Sequence, residues 1–236
     1  MEKKVIIITG GSSGIGKYIV KNLLKNKFYV INLTRKPTFF KSIRYHNYCL
    51  KDFSNEKDLN NFFFNTKKRF KKIYALINNV GGTFDGYESS RFRENIEINL
   101  NFTFDITSKF IDILKNGGKI INISSIASIV SLPNNPGYNA SKAAINSLTR
   151  SFANDYADRK INVNSLILGY FPTKMTRRSF KNDKKNSRII KNTILGRWGK
   201  LKDIYGPLEF LLSSKSDYIT GQSIIVDGGW TIKGMK

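Results

Sequence analysis

The chain enters on a run of β-branched residues, "VIIIT" at 5–9, and comparable runs recur as "YVINL" at 29–33, "IYALIN" at 73–78, "GKIINIS" at 118–124, "INVNSLI" at 161–167 and "SIIVD" at 223–227. Their apolar positions are largely consecutive, which predicts strands covered on both faces and therefore a parallel sheet. Between the runs lie segments such as "GKYIVKNLLKNK" at 16–27, whose apolar residues recur at helical spacing. Strand and helix in alternation predict an α/β fold, a doubly wound parallel sheet of about seven strands with helices on both faces. No internal repeat and no linker rich in Pro, Gly or Ser divides the chain, so a single domain over 1–236 is expected. The segment 170–199 shows no clear period and is dense in charge, which marks a functional or mobile insertion.

Composition narrows the function classes. A chain of 236 residues with 40% hydrophobic content buries a full core. One cysteine, Cys49, excludes an internal disulfide, and with one histidine, His46, there is no His/Cys set for zinc. The apolar run near the amino terminus is too short for a signal-peptide core, and nothing is long and apolar enough to span a membrane. A cytoplasmic protein without a membrane partner is expected.

The balance of 40 Lys+Arg against 17 Asp+Glu gives +23 formal charges, a field that attracts polyanions. Nucleic-acid binding is one reading. The other is compositional: the chain is also crowded with Asn and Ile, and lysine is written wherever a surface tolerates it. The second is preferred, and nucleic acid is not the expected partner.

Three motifs carry chemistry. "TGGSSGIG", Thr9 to Gly16, joins the first strand to the first helix, and its glycines let backbone N–H groups and the helix terminus approach a pyrophosphate. The second strand ends in "INLTRKP", with Thr34 and Arg35 where an acid would accept from the ribose hydroxyls of NAD(H). An arginine there suits the 2′-phosphate of NADP(H), so NADP(H) is preferred and NAD(H) is not excluded. In "YNASK", Tyr138 and Lys142 are four residues apart, hence on one helix face. The pair is either a phenol with a cation acting on it or a surface lysine below a packing aromatic.

With the glycine loop, "NNVG" at 78–81, "NISS" and "YNASK" in order, the chain resembles the classical short-chain dehydrogenase/reductase family over nearly its whole length. The resemblance implies a Rossmann-type fold, with 1–115 mainly binding cofactor and 116–236 holding the catalytic and substrate half, including a lid at about 170–199. It implies Tyr138 as general acid/base and Lys142 as the group that holds the nicotinamide ribose and lowers the phenol's pKa. Ser125 would bond the substrate oxygen, and Asn99 would organise a water in the relay to Lys142. Gly10, Ser12, Ser13, Gly14, Ile15 and Gly16 would meet the phosphates, with Thr34 and Arg35 at the adenosine ribose. Asp52 would bond the adenine amine, Asn78 would steady the central strand near the ribose, and Thr173 would meet the carboxamide.

Three departures from the family pattern stand out. Val80 replaces alanine and is expected to crowd the cofactor. Leu168-Gly169 replaces Pro-Gly and is expected to loosen the backbone at the nicotinamide. The segment between Asn78 and Asn99 looks short. The lid carries Lys174, Arg177, Arg178, Lys181, Lys184, Lys185, Arg188 and Lys191. This charge is either a guide for an anionic or carrier-bound substrate or a solvated surface. The leading function is an NADP(H)-dependent interconversion of a ketone and a secondary alcohol, with a 3-oxoacyl thioester on acyl carrier protein as a candidate substrate. A sugar or sugar acid of surface polysaccharide is the alternative, and a cofactor-bound regulatory or nucleic-acid-binding protein without turnover is the reading from another class. The resemblance also implies a homotetramer or dimer.

Overall fold

A computed structural model describes residues 4–234. Seven strands, β1 (Val5–Thr9), β2 (Tyr29–Thr34), β3 (Tyr45–Cys49), β4 (Ile73–Asn78), β5 (Leu114–Ser125), β6 (Asn162–Leu168) and β7 (Ser223–Val226), form one parallel sheet in the order β3-β2-β1-β4-β5-β6-β7. The pleat divides their side chains between two apolar layers. Val5 and Ile7 enter one layer and Ile6 and Ile8 the other, all buried, as a period of two requires.

Helices cover each layer. α1 (Gly14–Lys25) brings Ile19, Val20 and Leu23 to the second layer. α2 (Glu56–Arg69) brings Leu59 and Phe62 to the first, joined across the π-turn Glu97–Asn101, which links α3 (Ser89–Ile96) to α4 (Phe102–Phe110), by Phe102, Ile106 and Phe110. α5 (Pro136–Asp155) begins with proline in its first turn, where the missing N–H costs nothing, and lies with α4 on the first layer through Phe152 and Ala153. The segment expected to be irregular contains α6 (Arg177–Lys181) and α7 (Asp183–Asn192). α7 escaped the sequence pattern because only Ile189 of its ten residues is buried, too little to print an apolar period. α8 (Leu201–Leu212) returns to the second layer with Ile204, Leu208, Leu211 and Leu212.

Because β1 lies between β2 and β4, the connections leave it in opposite directions and a crevice opens at the carboxyl ends of the strands. Every segment singled out for chemistry emerges there: Gly10 after β1, Arg35 after β2, Asn79 after β4 and Ser125 closing β5. Among the described residues no helix is long and apolar enough to cross a membrane.

α5 is seated by Gly137, where a Cβ would lie 2.9 Å from Phe92 Cα and 3.1 Å from Asn95 Cβ on α3. Backbone cannot yield as a side-chain tip can. Gly137→Ala is therefore expected to cost about 1–3 kcal/mol through overpacking, measured by urea unfolding. An unchanged midpoint would show that α3 and α5 are not in van der Waals contact at this point.

Candidate active site

The glycine loop is closed tightly on itself. Gly10 and Gly14 have φ of +74° and +51°, in the left-handed region, and a Cβ on Gly16 would stand 2.3 Å from the Gly10 carbonyl oxygen. Ser13, at the amino cap of α1, makes no side-chain cap bond, and the first turn holds no acid. The positive end of a twelve-residue helix is thus left to another anion, and the loop fits a dinucleotide phosphate on the chain's own evidence. Ser12 and Ile15 are half-buried beside it, and Ile15 lines the adjoining cavity.

At the end of β2, Thr34 is buried and donates its hydroxyl to the Lys36 carbonyl at 2.6 Å, which fixes the turn and leaves Arg35 exposed. The Arg35 guanidinium lies 5.9 Å from the Phe53 ring. Asp52 is exposed, and hydrogen bonds from the Ser54 backbone N–H and hydroxyl hold its carboxyl below the usual range. Asn78 is 3% exposed and points into the sheet, donating to Asn122 and Thr107. Its neighbour Asn79 borders the cavity instead and donates to the carbonyls of Thr9 and Gly10 at 3.0 and 3.2 Å. The sequence contained the pair "NN" but not which of the two the pleat turns toward the crevice.

A cavity of about 590 Å³ gathers Ser125, Tyr138, Lys142, Gly169, Tyr170, Thr173 and Trp230 on one wall system. The i,i+4 pair of α5 is therefore in the site and not on the surface. Tyr138 is pushed above its ordinary value by burial, an effect that a hydrogen bond with Ser125 partly reverses and the nearby Tyr170 reinforces. Lys142 is 5% exposed, donates to the Ile123 carbonyl at 3.1 Å, and is pulled down to about 8 by desolvation. Its Nζ lies 5.8 Å from the Tyr138 ring centroid. Among the protein's own groups, loss of water around the phenol is the largest effect, and the Ser125 hydrogen bond is the one that lowers it.

Asn99 is fully buried in the π-turn, a helical irregularity that frequently accompanies functional sites. Its amide donates to Gly82 and Asn95 carbonyls, its oxygen accepts from Gly82 N–H, and the Thr103 hydroxyl takes up its carbonyl. A Cβ on Gly81 would lie 2.9 Å from Asn99 Oδ1 and 3.3 Å from Lys142 Nζ, so the two side chains flank that glycine. Ser124 also lines the cavity, and its hydroxyl donates to the Lys142 carbonyl. Thr173 reaches over the glycine loop, its methyl 3.6 Å from where a Cβ on Gly14 would stand, and is braced by Thr176.

Two of the expected departures are corrected. Val80, two residues beyond β4, packs into the first apolar layer against the glycine loop, where a Cβ on Gly10 would lie 3.2 Å from its Cγ2, and does not line the cavity. Leu168-Gly169 is pinned, not loosened: Gly169 donates to Val226, and a Cβ there would stand 2.7 Å from Asp227 Cα. Sequence reasoning did not single out Thr83, Asp85, Asn135, Tyr170 or Trp230, all of which line the cavity. Four stand in loops and Trp230 opens a three-residue 3₁₀ turn, Trp230–Ile232, and no hydrophobic period locates any of them.

A family model described as enoyl-(acyl carrier protein) reductase matches residues 10–231. The chain is 32% identical over 244 residues to a 2-dehydro-3-deoxy-D-gluconate 5-dehydrogenase of Dickeya dadantii, covering 98% of this chain and 96% of that one. It is also 32% identical to the 3-oxoacyl-acyl-carrier-protein reductase FabG of Rickettsia felis, with 96% of each chain covered. A gluconate 5-dehydrogenase from Burkholderia cenocepacia, solved with NADP and tartrate, superimposes with a TM-score of 0.91 at 26% identity, covering 99% of this chain and 97% of that one. With the phosphate-ready loop, the Tyr138–Lys142 pair at the cavity and the parallel sheet that brings them together, these likenesses establish that the chain belongs to the short-chain dehydrogenase/reductase family and is an NAD(P)-dependent oxidoreductase acting on a ketone/alcohol pair.

Proposed function

We propose that the enzyme uses NADP(H) and reduces the ketone of a small hydroxy acid, or oxidises the corresponding alcohol. The convergence of Tyr138, Ser125 and Lys142 on one cavity carries this reading. When bound, the nicotinamide supplies or accepts the hydride. Tyr138 gives a proton to the carbonyl oxygen as that oxygen gains negative charge, and Ser125 donates a hydrogen bond to the same oxygen. Lys142 holds the ribose hydroxyls, while Asn99 fixes the loop at Gly82 and organises the water that returns a proton to the lysine. Arg35 pairs with the 2′-phosphate, supported by the lack of an acid in "INLTRKP".

A sugar acid is favoured over a 3-oxoacyl thioester because polar residues, Thr83, Asp85, Ser179, Arg188 and Asn192, share the cavity wall with the reacting groups. The carrier-protein reading is kept by the exposed basic residues of α6 and α7, which suit an acidic partner surface. The deciding measurement is NADPH oxidation with keto sugar acids and with acetoacetyl-acyl carrier protein, at low and high salt. Faster, salt-sensitive turnover of the carrier-bound substrate would reverse the preference.

Tyr138→Phe is expected to reduce turnover by roughly three orders of magnitude while leaving NADPH binding intact, and near wild-type turnover in this variant removes the phenol from its role. Because burial raises Tyr138, reduction should hold steady through neutral pH while alcohol oxidation climbs from roughly pH 7 to 10; a reduction rate that climbs with pH contradicts the assignment. Arg35→Asp should shift the kcat/KM ratio of NADPH to NADH toward NADH by about tenfold or more.

Lys142 also predicts a stability effect of opposite sign to its catalytic one. Its folded value, about 8, lies below the ordinary lysine value of 10.5, so folding is penalised below pH 8 and the penalty fades as pH rises toward 10.5. The displacement corresponds to about 3 kcal/mol at most, offset by about 1 kcal/mol for the Ile123 hydrogen bond. Lys142→Met should thus be inactive yet more stable at pH 7, with the gain vanishing near pH 10.5. Equal urea midpoints of variant and wild type at pH 7 would show that the buried ammonium costs nothing.

A further inference from the structure

α7 turns Lys185, Arg188, Ile189 and Asn192 to the cavity, the i, i+3, i+4, i+7 stripe that most surface helices fill with apolar residues. Only Ile189 conforms. Among the described residues of the lid, eight basic side chains stand between 174 and 191, and of these Lys185 and Arg188 line the cavity. The lid's charge therefore has two parts, six residues directed elsewhere and two at the site.

A second polar group on the cavity wall comes from the loop after β4. Asp85 Oδ1 accepts from the Thr83 hydroxyl at 3.1 Å and from Asn135 Nδ2 at 2.6 Å, and the same Nδ2 donates to Thr83 Oγ1 at 2.6 Å. A carboxylate only accepts, so the amide must present its nitrogen, and the triad has one consistent arrangement. Both bonds fall on Oδ1, which leaves Oδ2 to accept from a substrate. Asn135 is 8% exposed and immediately precedes α5, three residues before Tyr138. The triad is thereby tied to the helix that carries the proton donor.

One wall region offers cations and another offers a fixed acceptor. A substrate anion is repelled by Asp85 and drawn to α7, and an aliphatic chain laid against Asp85 would leave its carboxylate without a donor. We propose that the cavity is built for a polyhydroxy monocarboxylate, with Arg188 and Lys185 binding its carboxylate and Asp85, held by Thr83 and Asn135, accepting from its hydroxyls. This deepens the oxidoreductase reading above and rests on it.

Binding can be read without turnover, because the chain's two tryptophans, Trp198 and Trp230, each lie 5.6 Å from the Tyr170 ring on the cavity wall. The Tyr138→Phe enzyme, which keeps nucleotide binding without turnover, is saturated with NADP⁺ and titrated with gluconate, with glucitol, which lacks the carboxylate, and with hexanoate, which lacks the hydroxyls. The variants below are made in that background. Gluconate should quench tryptophan fluorescence with an affinity about tenfold or more above both. Arg188→Met should erase its advantage over glucitol, and Asp85→Asn its advantage over hexanoate. NADP⁺ affinity, measured in parallel, shows that each variant is folded.

Gluconate bound no tighter than glucitol, or an Arg188→Met enzyme that keeps the preference, overturns the inference. Should NADPH oxidation run faster with an acetoacetyl carrier protein than with any keto sugar acid, the inference falls and the oxidoreductase reading stands. If protein that binds NADPH reduces no carbonyl compound, that reading falls, and the gluconate titration still decides the ligand of the cavity.

Discussion

Lys142 keeps an ammonium group at 5% exposure with the Ile123 carbonyl as its hydrogen-bond partner, and desolvation alone accounts for its displacement to about 8. Burying a cation is expensive unless a charge or dipole receives it, and here the receiver is the end of β5. The rest of the site is arranged around this expense. Gly81 gives up its side chain to let the ammonium and Asn99 come close, Ser124 anchors the Lys142 carbonyl, and Gly137 lets α5 approach α3 at backbone distance. A lysine displaced in this way beside a phenol displaced upward is the kind of perturbed pair that clusters at functional sites.

The sheet decides where that arrangement can be built. Strands covered on both faces have no free surface except at their ends, so the polar work is concentrated at the carboxyl edge. Amide side chains do much of the joining. Asn78 bridges β4 to β5, Asn79 holds the glycine loop, Asn99 holds Gly82, and Asn135 holds Thr83 and Asp85. An amide is donor and acceptor at once and carries no charge, so it can be buried between loops without a counter-ion. The abundance of asparagine, which reads as compositional bias in the sequence, includes these structural members.

The lid makes a similar division within the basic residues. Charge along α6 and α7 is broadly distributed, yet only the side chains at Lys185 and Arg188 share the cavity with Tyr138. The six basic side chains directed elsewhere and the two at the cavity are therefore separable by substitution.

The sequence by itself determined the fold class and singled out residues that the fold brings to one cavity. Consecutive apolar positions in "VIIIT" and "IYALIN" can only be satisfied by a sheet buried on both sides, and helix spacing places Tyr138 and Lys142 on one face whatever surrounds them. Thr9 to Gly16 is legible because its function is a backbone property that glycine alone provides. Tertiary structure decided what depends on orientation and solvent: that Asn79 and not Asn78 meets the cavity, that Val80 packs inward, that Gly169 is pinned, that α7 is a helix, and that burial raises the Tyr138 phenol. Thr83, Asp85 and Asn135 stand in loops and Trp230 in a single 3₁₀ turn, none with a hydrophobic period, so their meeting was invisible until the chain was folded. Periodicity records which face a residue is on, but desolvation and hydrogen-bond partnership are properties of the space between elements, and no single element contains them.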